Sequence, residues 1–149
     1  MPVLGLETLG WLPVTRDSVQ RSVMVVEDDA EVRGALGDVL HAAGYDVVMA
    51  ANGQEALRVL SNLELLPGLL LLDLTMPRMD GFAFLAKLQA DEALRALPVL
   101  VVTALEGPVP PGAVGLLRKP VQVQALLATV DRYCTPPPPS SANGSKASG

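Results

Sequence analysis

Five side chains of this sequence combine types and settings suited to chemistry on a charged group. Glu27 and Asp28 directly follow the apolar run SVMVV, and Asp73 ends the run LLLL. Thr103 closes PVLVVT, and Lys119 follows VGLLR. A carboxylate at the end of a buried run is costly unless something there uses its charge. If these runs are neighbouring strands, their carboxylates crowd one pocket and raise one another's pKa. A hard divalent cation relieves that repulsion, and Mg²⁺ suits one or two carboxylates with waters and a phosphate oxygen. The Thr103 hydroxyl and the Lys119 ammonium, a mobile point charge, would complete a site for a tetrahedral anion. Asp73, central and facing the cation, is then a candidate nucleophile forming an acyl phosphate.

The elements that would hold these residues alternate along the chain. Ser22 to Val26 is short, apolar and β-branched, as expected of a buried strand. Val32, Ala35, Leu36, Val39, Leu40 and Ala43 recur at helical spacing over Ala30 to Ala43, with Asp29 placed to cap that helix and Gly44 to stop it. Tyr45 to Ala50 is the second strand. Asn52 caps the next helix, with Glu55 in capping-box position and Leu57 and Leu60 facing inward. Leu69 to Leu72 is the third strand, and Asp80 and Gly81 open a helix carrying Phe82, Leu85 and Leu88. Pro98 starts the fourth strand, Val114 to Leu117 reads as the fifth, and Val123, Leu126, Leu127 and Val130 mark a closing helix. Solid apolar strands alternating with helices predict an α/β fold, a doubly wound five-stranded parallel sheet covered on both faces. Ligands of such sheets bind outside the carboxyl ends of the strands, where all five residues fall.

One connection departs from this pattern. Between Thr103 and Gly115 lie eleven residues, ALEGPVPPGAV, with three prolines and two glycines. No ordinary helix fits there, so the fourth helix is expected to be shortened or missing.

Composition narrows the function classes. With 149 residues, half of them apolar, the chain fits one domain. The net charge of -5 is unlike the basic stripe of a nucleic-acid binder, so no nucleic-acid partner is expected. The single cysteine, Cys134, excludes an internal disulfide and suits a reducing compartment. No run is long enough to span a membrane and the N-terminus makes a poor signal peptide, so the expected location is cytoplasmic. Residues 1–20 read as a poorly ordered extension, 21–134 as the domain, and 135–149 as a Pro/Ser/Gly-rich disordered tail.

VVEDD, DLTMPRMDG, VVTA and LLRKP, in this order and each at a strand end, resemble the receiver domain of two-component response regulators over about residues 21 to 134. The resemblance implies the flavodoxin-like receiver fold and a phosphoryl group accepted by Asp73 from a histidine-kinase phosphohistidine. It also implies direct ligation of Mg²⁺ by Asp28, ligation mainly through water by Glu27, and a further ligand from the backbone carbonyl of Thr75. Thr103 and Lys119 would bind phosphoryl oxygens, with Thr103 shifting inward as a switch. Thr75 and Leu105 would flank the site and tune hydrolysis of the acyl phosphate, and the Lys119–Pro120 bond would be cis.

Two departures accompany the match. Leu116 stands where the family usually has an aromatic switch residue, and the helix before the fifth strand is expected to be shortened or missing. Readout is therefore expected on another face, that of the first and closing helices. The function expected is a phosphorelay receiver, not a turnover enzyme. Its partners would be a sensor histidine kinase or phosphotransfer protein, and a downstream protein reached by direct contact, since no DNA-binding module follows Tyr133. A degenerate receiver, binding a protein partner without phosphorylation, is the alternative. A Mg²⁺-dependent phosphatase with an aspartyl nucleophile fits less well. It would want a second acid two residues after Asp73, and Thr75 stands there.

Overall fold

The computed structural model describes residues 21–74 and 80–134. Along them run β1 (Ser22–Val26), α1 (Ala30–Ala42), β2 (Asp46–Ala50), α2 (Gly53–Asn62), β3 (Leu69–Leu72) and α3 (Gly81–Ala90). They are followed by β4 (Val99–Thr103), β5 (Gly115–Arg118) and α4 (Val123–Cys134). The strands form one parallel sheet in the order β2-β1-β3-β4-β5. This is the doubly wound, flavodoxin-like arrangement expected, and its winding reverses between β1 and β3. The proposed N-terminal extension and C-terminal tail lie outside the described residues.

The four leucines of β3 are buried because both faces of the sheet are covered. Leu70 and Leu72 join Met24, Val26, Val99 and Val101 beneath α2 and α3, against Ala56, Leu60, Phe84, Leu85 and Leu88. Leu69 and Leu71 join Val23, Val25, Leu100 and Val102 on the opposite face, against Leu36, Leu40, Leu126, Val130 and Cys134. Each leucine so buried is worth roughly 1.5–3 kcal/mol before entropy is counted. That is enough to hold the strand in place although it ends in a carboxylate. Burial also pushes the Cys134 thiol up to about 12, with the charge of Asp131 adding to the effect.

Short polar side chains start the first three helices. The Asp29 carboxylate accepts from the Glu31 and Val32 amides at 2.9 and 3.2 Å, and Asp80 accepts from Ala83 at 2.8 Å. Asn52 accepts from Glu55 at 2.8 Å, while Glu55 accepts from Ala51 rather than from Asn52, a capping box displaced by one residue. Gly44, at φ 97°, turns the chain out of α1 into β2.

Two details of packing differ from the sequence reading. On α3 the buried aromatic is Phe84, whereas Phe82 is 53% exposed. The first turn of α3 faces the crossover, and the crossover leaves Phe82 uncovered. On α4, Leu126 and Val130 are buried and Val123 is exposed, because Val123 stands at the helix start, clear of the sheet.

The crossover from β4 to β5 contains no helix. It runs as bends with one turn at Pro111–Gly112, and Gly107 and Gly112 both take positive φ. Pro110 tucks inward, while Leu105, Val109 and Val114 are exposed. Beside it an open apolar groove of about 540 Å³ runs along α3, lined by Phe82, Leu85, Ala86 and Pro111 among others. Among the described residues no helix is long and apolar enough to cross a membrane.

Gly81 is required where the chain enters α3. A Cβ there would lie 2.3 Å from the Leu74 Cα and 2.6 Å from the Asp73 carbonyl oxygen. Neither atom is the tip of a flexible side chain, so backbone must move. Gly81→Ala is therefore expected to lower unfolding free energy by about 1–3 kcal/mol, the usual cost of overpacking. A denaturant titration measures this, and an unchanged midpoint would show that the turn relaxes at no cost.

Candidate functional site

The parallel register sets the positions of the acidic residues. Val26 pairs with Leu72 and with Ala50, so the residues that follow, Glu27 and Asp73, leave the sheet side by side. The backbone continues the pairing for one more step. The Glu27 amide donates to the Ala50 carbonyl at 3.1 Å, and the Asp73 amide to the Val26 carbonyl at 3.1 Å. Both side chains are buried, Glu27 at 2% and Asp73 at 7% exposure, while Asp28 faces outward. Carboxylate oxygens of Glu27, Asp28 and Asp73 nevertheless lie within 4.8 Å of one another.

Lys119 enters from the far edge of the sheet. Thr103 pairs with Arg118, and the Lys119 amide donates to the Thr103 carbonyl at 2.9 Å, which carries the lysine just past the end of β5. Its ammonium donates to Glu27 Oε1 at 2.7 Å and sits 3.7 Å from Asp73 Oδ2. The Lys119–Pro120 bond is cis. Thr103 is buried beneath, at 1% exposure, and its hydroxyl oxygen accepts from the Leu105 amide at 3.0 Å. Four of the sequence-derived residues, Glu27, Asp73, Thr103 and Lys119, thus share one end of the sheet, with Asp28 at its rim. Thr75 lies outside the described residues.

The electrostatics follow from the crowding. Burial pushes the Glu27 carboxyl up to about 7. The hydrogen bond from Lys119 opposes the rise, and the charge of Asp73 reinforces it. Burial by itself would lower the Lys119 ammonium. The hydrogen bond and charge of Glu27, with the charges of Asp73 and Asp28, outweigh that and hold it above the ordinary lysine value. The pocket therefore retains a cation, and it strains to keep all its carboxylates ionised.

Several residues that shape the site were not singled out from sequence. The Arg33 guanidinium donates to the Glu27 carbonyl at 2.8 Å and fastens the acidic loop to α1. An arginine so near a helix N-terminus opposes the helix dipole, and that misplacement was the available signal. Gly81 opens α3 although glycine is a poor helix former, a similar hint of close backbone approach. Arg118 donates to the carbonyls of Leu105 and Gly107, the latter at 2.6 Å. Nothing in its spacing marked that contact. Leu116, already marked in the sequence as a departure, is part-buried and lines a hollow of about 210 Å³ together with Thr103, Leu74 and Phe82.

Comparison with known proteins agrees with this geometry. The response regulator receiver domain family matches residues 23–131. The polar-differentiation response regulator DivK of Brucella anthropi is 32% identical over 119 residues, covering 76% of this chain and 95% of that protein. The DNA-binding dual master transcriptional regulator RpaA of Synechocystis is 36% identical over 117 residues. That match takes in 72% of this chain but 46% of the relative, so the chain spans about half of that protein's length. The structure of Vibrio cholerae chemotaxis protein CheY4 superposes with a TM-score of 0.69 at 30% identity, covering 75% of this chain and 97% of that one. A receiver domain of a Syntrophus aciditrophicus signal transduction histidine kinase gives a TM-score of 0.70 at 30% identity, covering 85% and 95%. Ordered strand-end motifs, sheet topology and these matches agree: the chain belongs to the response regulator receiver domain family.

Proposed function

We propose that this protein accepts a phosphoryl group on Asp73 from a histidine kinase or phosphotransfer protein and signals by contact with another protein. The observation that carries the reading is the pairing of a buried Asp73 with the Lys119 ammonium at 3.7 Å, beside two further carboxylates. An Asp73 carboxylate oxygen attacks the phosphorus, an O–P bond forms, and the P–N bond of the donor phosphohistidine breaks as the imidazole departs. Lys119 balances charge on the phosphoryl oxygens, and the Thr103 hydroxyl donates to one of them. Leu105, exposed at the rim, governs how readily water reaches the acyl phosphate, together with Thr75. Attack by that water regenerates the carboxylate, so the chemistry is self-limited and no substrate is turned over.

The acidic cluster fits a hard divalent cation. It offers three carboxylates at close range, one of which is driven toward its protonated form when no cation balances it. Glu27, Asp28 and Asp73, with the Thr75 carbonyl, are the proposed ligands of Mg²⁺. When bound, the ion would neutralise charge on the incoming phosphoryl group.

Two expectations test this reading. Incubation with Mg²⁺ and acetyl phosphate should add one phosphoryl mass to the intact chain, and Asp73→Asn or omission of metal should abolish it. An adduct on Asp73→Asn would place the acceptor elsewhere. No adduct on the wild type, with candidate kinases also tried, would favour the degenerate binding module that Leu116 and the helix-free crossover suggest.

The second concerns pH. Because the folded-state pKa of Glu27 is raised, its contribution to metal-free stability is complete below the unfolded carboxylate value. It is lost as pH rises through about 7. Mg²⁺ replaces the missing proton, so it should raise Tm more at pH 8 than at pH 5.5. Equal shifts at the two pH values would contradict the assignment of Glu27.

A further inference from the structure

We propose that an apolar N-terminal segment of this same chain, Leu9 to Val14, seats in the groove along α3 and covers it. The proposal is independent of phosphoryl transfer at Asp73.

The groove is what the helix-free crossover leaves open. Its volume is about 540 Å³, and its lining, which includes Phe82, Leu85, Ala86 and Pro111, holds no charged side chain. Phe82, Pro110 and Pro111 also line the adjoining hollow of about 210 Å³, so the two form one continuous trough. Phe82, Leu105 and Val109, all exposed, stand along it. Contiguous exposed apolar surface marks an interaction site.

The chain carries a segment of matching chemistry. Residues 2–15, PVLGLETLGWLPVT, hold four leucines, two valines and Trp11, and Glu7 is their only charged side chain. That is the reverse of the polar, charged composition that keeps a segment solvated. The other terminal segment, 135–149, has no leucine, valine, isoleucine or aromatic residue to place in an apolar groove. Gly5, Gly10 and Pro13 disfavour a helix, so the N-terminal segment binds extended.

Reach and direction agree. Parallel strands all start at one end of the sheet, and α3 returns from the end of β3 to the start of β4. The Gln89 end of the groove therefore lies at the sheet end where the chain enters β1 at Ser22. β1 and β4 are two strand spacings apart, roughly 10 Å, beside a helix layer roughly 10 Å deep. Thr15 to Gln20, largely polar, spans roughly 20 Å when extended, enough to cross that distance. Leu9 to Pro13 extends over about 16 Å, and α3 over about 15 Å. Laid along α3 from its C-terminal end, the segment sets Trp11 beside Ala86 and Phe82.

Trp11 is the only tryptophan of the chain, so its fluorescence reports on the segment directly. In the full chain its emission should be that of a buried indole, shielded from acrylamide, and should move to longer wavelength on denaturation. Phe82→Glu puts a charge into the groove at an exposed side chain, and should shift the folded-state emission to the denatured value with circular dichroism unchanged. Ala86→Glu should do the same, and it decides if Phe82→Glu fails to fold. Val123→Glu, at an exposed valine on the opposite face, should leave the emission as in the wild type. An indole as accessible in the folded wild type as in denaturant would overturn the proposal. So would a shielded Trp11 that ignores both groove variants, which would put the segment elsewhere. Shielding lost on dilution, with a dimer mass at high concentration, would put it in the groove of a second copy and overturn the proposal as well.

Discussion

A single ammonium group in a largely buried acidic pocket is the constraint around which the rest of this structure is arranged. Lys119 lies 2.7 Å from Glu27 and 3.7 Å from Asp73, and both carboxylates are buried. Two unbalanced carboxylates at that depth would cost several kcal/mol each. The lysine has to arrive from an edge strand and pass the end of β4 to reach them. That demands that β1, β3, β4 and β5 end at nearly the same level, which the parallel register provides. The lysine also does not fully discharge the pocket: Glu27 is still driven up to about 7. A site satisfied by its own residues would have little use for a cation or a phosphoryl group, and this one is left short of positive charge.

That shortage explains the composition of β3. Asp73, just past its end, is buried beside Glu27, so the four leucines before it must contribute apolar burial on both faces. Alternating strands could not do this, because half of each would face water. The solid leucine run and the carboxylate that ends it are one design, in which packing energy on β3 offsets the electrostatic cost at Asp73. The same holds for β1, where Val23 to Val26 are buried ahead of Glu27.

Much of this was legible in the sequence because it depends on residues whose own type announces their setting. A leucine run cut off by aspartate, acids directly after a valine run and Asn52 three residues before Glu55 are local patterns with physical meanings. The Leu69–Leu72 strand, the Asp29 cap and the helix-free crossover were readable for that reason. What was not readable depends on pairings across space. Phe82 and Phe84 are two residues apart on one helix, and only the absence of a covering helix decides which of them is buried. Gly81 reads as an ordinary Asp-Gly turn until the Leu74 backbone is placed against it. Arg33 and Arg118 look like solvated charges, since a guanidinium that bonds a backbone carbonyl needs no partner visible in its neighbours' types.

The crossover joins these points. A helix satisfies its own carbonyls, whereas an irregular segment must find donors elsewhere. Three prolines lower the entropy this segment loses on folding, but they also remove three amide donors. Leu105 and Gly107 therefore take donors from outside the segment, and Arg118 supplies both. Any arginine within reach could have met that need. This one is adjacent in sequence to the lysine that reaches the acidic pocket, and is paired in the sheet with the threonine beneath it. Replacing a helix by a proline-rich loop thus did more than remove a surface. It made the loop's hydrogen bonding depend on Thr103 and Arg118, side chains at the two strand ends that frame Asp73.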